Sequence, residues 1–143
     1  MQALLIIAHG SRRAESNAEI RALAAHIAAL SGNRYGFVGS AFLELAEPSI
    51  PDGIQQCVDA GATTITIMPF FLSAGRHVVT DVPQQVHEKL QAFPQIGVKF
   101  APYLGVSRLM PSLILQSAQA ACDCQQGQCR YPACLPAQAV GEV

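Results

Sequence analysis

Three ionisable residues follow three of the strands that the sequence predicts, and their types suit metal chemistry. His9 comes directly after the apolar residues 3–8, Glu44 ends a second strand-like stretch, and His77 follows a third. In a parallel sheet the carboxyl ends of the strands meet at one edge, so these side chains can converge although they are far apart in the chain. Two imidazoles and a carboxylate suit a divalent ion such as Co²⁺, Fe²⁺, Ni²⁺ or Zn²⁺, with positions left open for a substrate.

Positively charged side chains flank both histidines. Arg12 lies shortly after the first histidine and Arg76 directly precedes the second. Guanidinium groups bind carboxylates and phosphates through paired hydrogen bonds, and Ser11 with the free amides of the following helix adds donors. Arg13 is interpreted as a solvated residue. The residues alone therefore predict a site for a metal ion and an anion, which would suit a hydrolase, a phosphatase or a metal-inserting enzyme.

Alternating strands and helices are predicted to position these residues. The predicted strands are residues 3–8, 35–44, 63–69 and 97–101, and the predicted helices are residues 14–30, 49–60, 81–93 and 107–121. Asp81 is interpreted as the cap of the third helix, two residues before Pro83. The βαβαβαβα order predicts an α/β fold, with a four-stranded parallel sheet flanked by helices on both faces.

The composition favours a single globular domain and excludes several other classes of protein. The chain has 143 residues, 50% of them hydrophobic and 13% charged, which indicates one folded domain rather than a disordered chain. A formal net charge of −1 gives no electrostatic basis for binding nucleic acid or a membrane surface. Since neither a signal peptide nor an apolar run of membrane-spanning length is recognisable, we expect a soluble, cytoplasmic protein.

Other enzyme classes fit the pattern less well. Histidine phosphatases carry an arginine directly before the reactive histidine, and here that residue is Ala8. The Gly-x-Ser-x-Gly turn of hydrolases is absent, as are the phosphate loops of nucleotide-binding enzymes. His26 and His87 lie within predicted helices and are interpreted as surface or packing residues.

The five cysteines are unevenly distributed. Cys57 lies alone in a predicted helix and is interpreted as a small buried apolar residue. The other four are Cys122, Cys124, Cys129 and Cys134. Their spacing does not match a common zinc ribbon, but four thiolates are enough for an iron–sulfur cluster or a Zn²⁺ ion, with disordered thiols as the alternative. We therefore divide the chain into a domain at 1–121 and a Cys-rich tail at 122–143.

Three separate motifs resemble those of one known family. They are residues 8–12 (AHGSR), 41–50 (AFLELAEPSI) and 69–77 (PFFLSAGRH). In this order, within a likeness that spans about residues 3–118, they resemble the small sirohydrochlorin chelatases of the CbiX type. The resemblance implies a class II metal chelatase, a lyase of tetrapyrrole (porphyrin) biosynthesis that inserts Co²⁺ or Fe²⁺ into sirohydrochlorin without ATP. Related small members insert nickel.

The resemblance also implies roles for individual residues. His9 and His77 would be the metal-binding and catalytic histidines, and Glu44 would join them. The carboxylates of sirohydrochlorin would be anchored by Ser11, Arg12 and Arg76. The apolar residues 70–72 would offer a wall to the macrocycle or belong to the core, with the core preferred for residue 70.

The same resemblance bears on assembly and on the metal. Longer members look like two fused copies of this unit, so the fold would be half of a two-lobed class II chelatase and the chain would form a homodimer. Cobalt insertion for cobalamin is the preferred activity. The alternatives are iron insertion for siroheme, or a metal-binding or delivery protein without insertion activity. Some larger chelatases of this kind carry a C-terminal cluster, which favours a metal or cluster on the cysteines.

Overall fold

Strands and helices alternate along the chain in the computed structural model, which describes residues 1–124 and 130–133. The elements are β1 (Gln2–Ala8), α1 (Ala14–Ser31), β2 (Phe37–Phe42), α2 (Ile50–Asp59), β3 (Thr64–Pro69), α3 (Val82–Leu90), β4 (Gly97–Phe100) and α4 (Met110–Gln119). A π-helical turn, His77–Asp81, leads into α3, and a 3₁₀ turn, Leu104–Val106, follows β4. The predicted βαβαβαβα order is confirmed.

The four strands form one parallel sheet in the order β2-β1-β3-β4. At its centre, β1 pairs Ala8 with Phe42 of β2 and Ile7 with Pro69 of β3. The carboxyl ends of these three strands are therefore nearly level. Since each is followed by one of the predicted site segments, the register places those segments at the same edge of the sheet.

One face of the sheet carries the main core. Side chains at alternate positions of the strands, such as Leu5 and Ile67, are fully buried against α2 and α3. Cys57 of α2 is also fully buried there, and this burial raises the pKa of its thiol to about 12. The thiol is therefore protonated at neutral pH, which confirms its interpretation as a small apolar residue.

The opposite face of the sheet carries an apolar groove of about 490 Å³. The groove is lined by Leu4, Ile6, Leu23, Ile27, Tyr35, Thr66, Met68, Phe70, Ala101 and Leu104. Phe70 is half-buried in this lining, whereas its neighbour Phe71 packs against the main core. Residues 70 and 71 thus point to different parts of the fold, as the alternation of side chains along an extended segment requires.

Two helix starts test the predicted capping. Ser49 caps α2 as expected, because its hydroxyl oxygen accepts the Asp52 N–H at 3.2 Å. The interpretation of Asp81 as a cap was wrong. Its backbone is helical (φ −70°, ψ −42°) and its side chain makes no capping bond, because the π-helical turn begins the helical segment four residues earlier.

The chain forms two compact units, Met1–Val106 and a second that begins at Ser107. The first contains the whole sheet, and the second contains α4. Cys122 and Cys124 are described, whereas Cys129 and Cys134 lie outside the described residues. The domain boundary at residue 121 stays a prediction. Among the helices of residues 1–124, none is both long and apolar enough to cross a membrane.

Candidate metal and substrate site

The loops after β1 and β2 are bonded directly to each other. The Leu43 N–H donates to the Ala8 carbonyl at 3.0 Å, and the Glu44 N–H donates to the His9 carbonyl at 3.1 Å. Gly10 allows this approach, because a Cβ atom at this position would collide with the Glu44 carbonyl oxygen. Its φ of +94° is also one that residues with a side chain rarely adopt. These backbone contacts thereby fix the positions of the His9 and Glu44 Cα atoms relative to each other.

His9 and Glu44 are joined through their side chains as well. His9 Nε2 lies 2.9 Å from Glu44 Oε1, with 45% and 53% of the two side chains exposed. A carboxylate only accepts hydrogen bonds, so the hydrogen of this pair lies on Nε2 of His9. The neutral ring then carries its lone pair on Nδ1, where it can accept a proton.

His77 begins the π-helical turn and is held within it. Its carbonyl accepts the Val82 N–H, and its Nδ1 lies 2.8 Å from Oδ2 of Asp81. Residues four apart share one face of a helix, which explains how this short segment brings the two side chains together. Asp81 therefore orients the imidazole ring of His77 instead of capping α3.

The two histidines converge as predicted. Their ring centroids lie 4.8 Å apart, and the rings are nearly perpendicular at 84°. Two imidazoles bound to one ion at a metal–nitrogen distance of about 2.1 Å would have centroids roughly 5 Å apart, so this spacing fits a shared ion. In residues 1–124 and 130–133, no group of three or more His, Cys, Asp or Glu side chains is arranged to hold a metal ion. Glu44 would have to exchange its bond with His9 for a bond to the ion.

The predicted anion-binding residues lie close to the two histidines in sequence. Arg12 and Arg76 are exposed, and Ser11 is half-buried with its hydroxyl accepting the Arg13 N–H at 3.0 Å. Arg13 Nε lies 3.7 Å from Glu15 Oε2, and both side chains are more than 70% exposed, at 77% and 73%. This geometry agrees with the interpretation of Arg13 as a solvated residue.

Asn17 is a positioning residue that was not predicted from the sequence. Its side chain accepts the Ser11 N–H at 2.9 Å and donates to the Ser11 carbonyl at 2.7 Å. Only 6% of Asn17 is exposed, so these bonds satisfy a buried amide while fixing the loop that carries His9. The sequence feature that could have identified Asn17 is a polar residue among the apolar positions of α1.

The other two histidines lie within helices. His26 is half-buried within α1, and the exposed His87 packs its ring 5.6 Å from that of Phe100. Three large apolar side chains near the site residues in sequence are exposed to solvent: Leu45 (55%), Leu72 (72%) and Val79 (65%). Leu72 thus remains available to a ligand, unlike Phe71.

Sequence comparison finds similar proteins for most of the chain. A family model described as CbiX matches residues 3–121. The chloroplastic sirohydrochlorin ferrochelatase of Arabidopsis thaliana is 36% identical over 111 residues, covering 78% of this chain and 48% of the relative. A sirohydrochlorin cobaltochelatase of Methanococcus maripaludis is 37% identical over 84 residues, covering 59% of this chain and 57% of the relative. The chain spans about half the length of these curated relatives.

Solved structures show the same fold. The cobalt complex of the sirohydrochlorin chelatase SirB from Bacillus subtilis matches 82% of this chain and 50% of its own, with a TM-score of 0.74 and 27% identity. A putative cobalamin biosynthesis CbiX protein from Marinobacter aquaeolei matches 83% of this chain and 95% of its own, with a TM-score of 0.69 and 25% identity.

Proposed function

Because this chain belongs to the CbiX family, we propose that it is an ATP-independent chelatase that inserts a divalent metal ion, Co²⁺ in preference to Fe²⁺, into sirohydrochlorin. The observation that carries the proposal is the convergence of His9, Glu44 and His77 at the carboxyl edge of three adjacent parallel strands. Similar proteins named as sirohydrochlorin chelatases support the tetrapyrrole as substrate.

Metal insertion needs groups that hold the ion loosely and groups that take up protons. The ion must exchange its ligands for pyrrole nitrogens while two N–H protons leave the macrocycle. A neutral imidazole serves either purpose at neutral pH. We assign proton uptake to His9, since Glu44 at 2.9 Å would stabilise the imidazolium that forms, and metal delivery to His77.

The surroundings of the histidines suit a flat macrocycle with acidic side chains. Arg12 and Arg76 are exposed beside the two histidines in sequence and can pair with the carboxylates of sirohydrochlorin. Leu45, Leu72 and Val79 offer apolar contacts on the loops and turn that carry Glu44 and His77. We propose that the tetrapyrrole plane rests on these apolar side chains while the arginines and Ser11 bind its carboxylates.

Two alternatives to cobalt insertion have to be considered. Similar proteins include both cobaltochelatases and ferrochelatases, and SirB has been crystallised both with cobalt and with Fe³⁺. An iron chelatase for siroheme is therefore the second candidate. A metal-binding or delivery protein without insertion activity would use the same histidines.

The purified protein is expected to accelerate the absorbance change that follows mixing of sirohydrochlorin with Co²⁺. Because catalysis by positioned proton acceptors contributes about 10²- to 10⁴-fold, the rate should exceed the protein-free rate by at least about 100-fold. Fe²⁺ under anaerobic conditions serves as the comparison metal and should react more slowly. Equal rates with and without protein for both metals would exclude a chelatase and leave the delivery protein.

We further propose that the chain acts as a homodimer. It covers 48% of the chloroplastic ferrochelatase of Arabidopsis thaliana and 50% of the SirB chain, so a second copy would supply the other half of such a molecule. Such a dimer would be isologous, with two equivalent sites. The size of the protein in solution, measured by light scattering on the sample used for the insertion assay, tests this proposal.

The Cys-rich tail is proposed to bind a metal centre that insertion does not require. Cys122 and Cys124 follow α4, whereas the proposed site lies wholly within Met1–Val106. Truncation after Ala121 should therefore give a folded protein with insertion activity within about twofold of the full chain, while anaerobic full-length protein should carry iron with sulfide, or zinc. An inactive but folded truncation would show that the tail shapes the site, and metal-free full-length protein would exclude the centre.

A further inference from the structure

Asp81 contacts His77 and has no part in the mechanism above. We propose that Asp81 is a positioning residue, which holds His77 in the tautomer that leaves Nε2 free to bind the incoming metal ion. The inference rests on the proposed function, because it assigns a role within the same site. It also gives the two histidines different states before any substrate binds.

The hydrogen bond determines the tautomer. Nδ1 of His77 lies 2.8 Å from Oδ2 of Asp81. Since a carboxylate has no hydrogen to donate, Nδ1 must carry the hydrogen, and the lone pair of the neutral ring lies on Nε2. Histidines that bind metals commonly donate their second ring N–H to a carboxylate, which fixes the ring and increases its basicity.

The pair is built from one short segment. His77 and Asp81 are the first and last residues of the π-helical turn, and the His77 carbonyl accepts the N–H of Val82, the first residue of α3. Only 32% of the Asp81 side chain is exposed, against 53% for Glu44. The His77–Asp81 bond is thus local and partly shielded from water, so it competes well with solvent in the absence of a ligand.

His9 has the opposite arrangement. Its Nε2 is the nitrogen bonded to a carboxylate, and its partner Glu44 comes from a different loop. In each neutral ring the nitrogen without a hydrogen can bind an ion and leave the carboxylate bond intact, and this nitrogen is Nε2 in His77 but Nδ1 in His9.

Nuclear magnetic resonance of the protein alone tests the tautomer. Long-range ¹H–¹⁵N spectra of ¹⁵N-histidine-labelled protein at alkaline pH distinguish a protonated Nδ1 from a protonated Nε2, and the His77→Ala spectrum assigns the signals. We expect protonated Nδ1 for His77 in the wild type and in Asp81→Asn, whose amide oxygen can still accept the bond. In Asp81→Ala we expect the hydrogen to move to Nε2.

Titration of the protein with Co²⁺ alone tests whether Asp81 strengthens metal binding. Loss of a hydrogen-bond partner behind a metal ligand weakens metal affinity about 10- to 100-fold, so Asp81→Ala should bind Co²⁺ that much more weakly. Asp81→Asn should recover most of the affinity. Asp59→Ala is the matched control, because it removes a carboxylate that accepts an i,i+4 bond from Gln55 at 2.9 Å on another helix. This control should bind Co²⁺ like the wild type.

The outcomes separate this inference from the proposed function. A protonated Nε2 on His77 in the wild type, an unchanged tautomer in Asp81→Ala, or equal Co²⁺ affinity in Asp81→Ala and Asp59→Ala would overturn the role of Asp81. If Asp81→Asn kept the wild-type tautomer but bound Co²⁺ weakly, the charge of Asp81 and not the tautomer of His77 would determine the affinity. This result would also overturn the proposed role of Asp81. These measurements use no sirohydrochlorin, whereas failure of the wild-type insertion assay would count against the chelatase alone.

Discussion

Replacing His77 by alanine is expected to lower the rate of Co²⁺ insertion into sirohydrochlorin by at least about 100-fold, and replacing His9 should have an effect of similar size. Each change removes an imidazole from a pair whose ring centroids lie 4.8 Å apart, and an alanine side chain can neither bind the ion nor accept a proton. Both side chains are nearly half exposed, at 45% and 44%, so their loss should leave the fold intact.

The chain provides matched controls for this experiment. His26 and His87 lie within α1 and α3, and their replacement by alanine should change the insertion rate by less than about twofold, as surface substitutions away from a site usually do. The rates are measured from the absorbance change of sirohydrochlorin at saturating Co²⁺, with circular dichroism to verify folding. Equal losses in all four variants would contradict the site, and so would full activity in the His9 and His77 variants.

The sequence predicts the ends of β1 and β3 well because each depends on a local pattern. The apolar run of β1 ends at Ala8, and the β-branched run of β3 ends at Pro69, as observed. Parallel pairing then follows from the alternation with helices. The order β2-β1-β3-β4 depends instead on which helix packs on which face, and the spacing of residues along the chain does not determine it.

The details of the site were harder to predict because tertiary contacts decide them. The strand expected to reach Glu44 ends at Phe42, where the Phe42 N–H donates to the Pro48 carbonyl at 2.9 Å and the chain turns through Leu45 at a φ of +65°. Asp81 has the sequence context of a helix cap, yet it bonds His77. In each case a long-range or side-chain contact replaces the local preference.

Replacing Gly10 by alanine is expected to abolish most of the insertion activity and to lower the free energy of unfolding by about 2–5 kcal/mol, because strain at a positive φ adds to a steric clash. The new Cβ would collide with the Glu44 carbonyl oxygen. Relief of that clash must separate the loop of His9 from the loop of Glu44, which removes the hydrogen bond between their backbones and shifts both side chains.

Gly61→Ala is the control that isolates the clash from the backbone strain. Gly61 has a φ of +93°, against +94° for Gly10, but a Cβ atom there would have no neighbour within 4 Å. This variant should lose only about 1–2 kcal/mol of stability, the strain contribution alone, and should retain full insertion activity. Denaturant unfolding gives the two free energies and the absorbance assay gives the two rates. If the Gly10 variant were as stable and as active as the Gly61 variant, the close approach of Gly10 to the Glu44 carbonyl would not be what positions His9 and Glu44. The hydrogen bond between these two residues would then have to be maintained by their side chains alone.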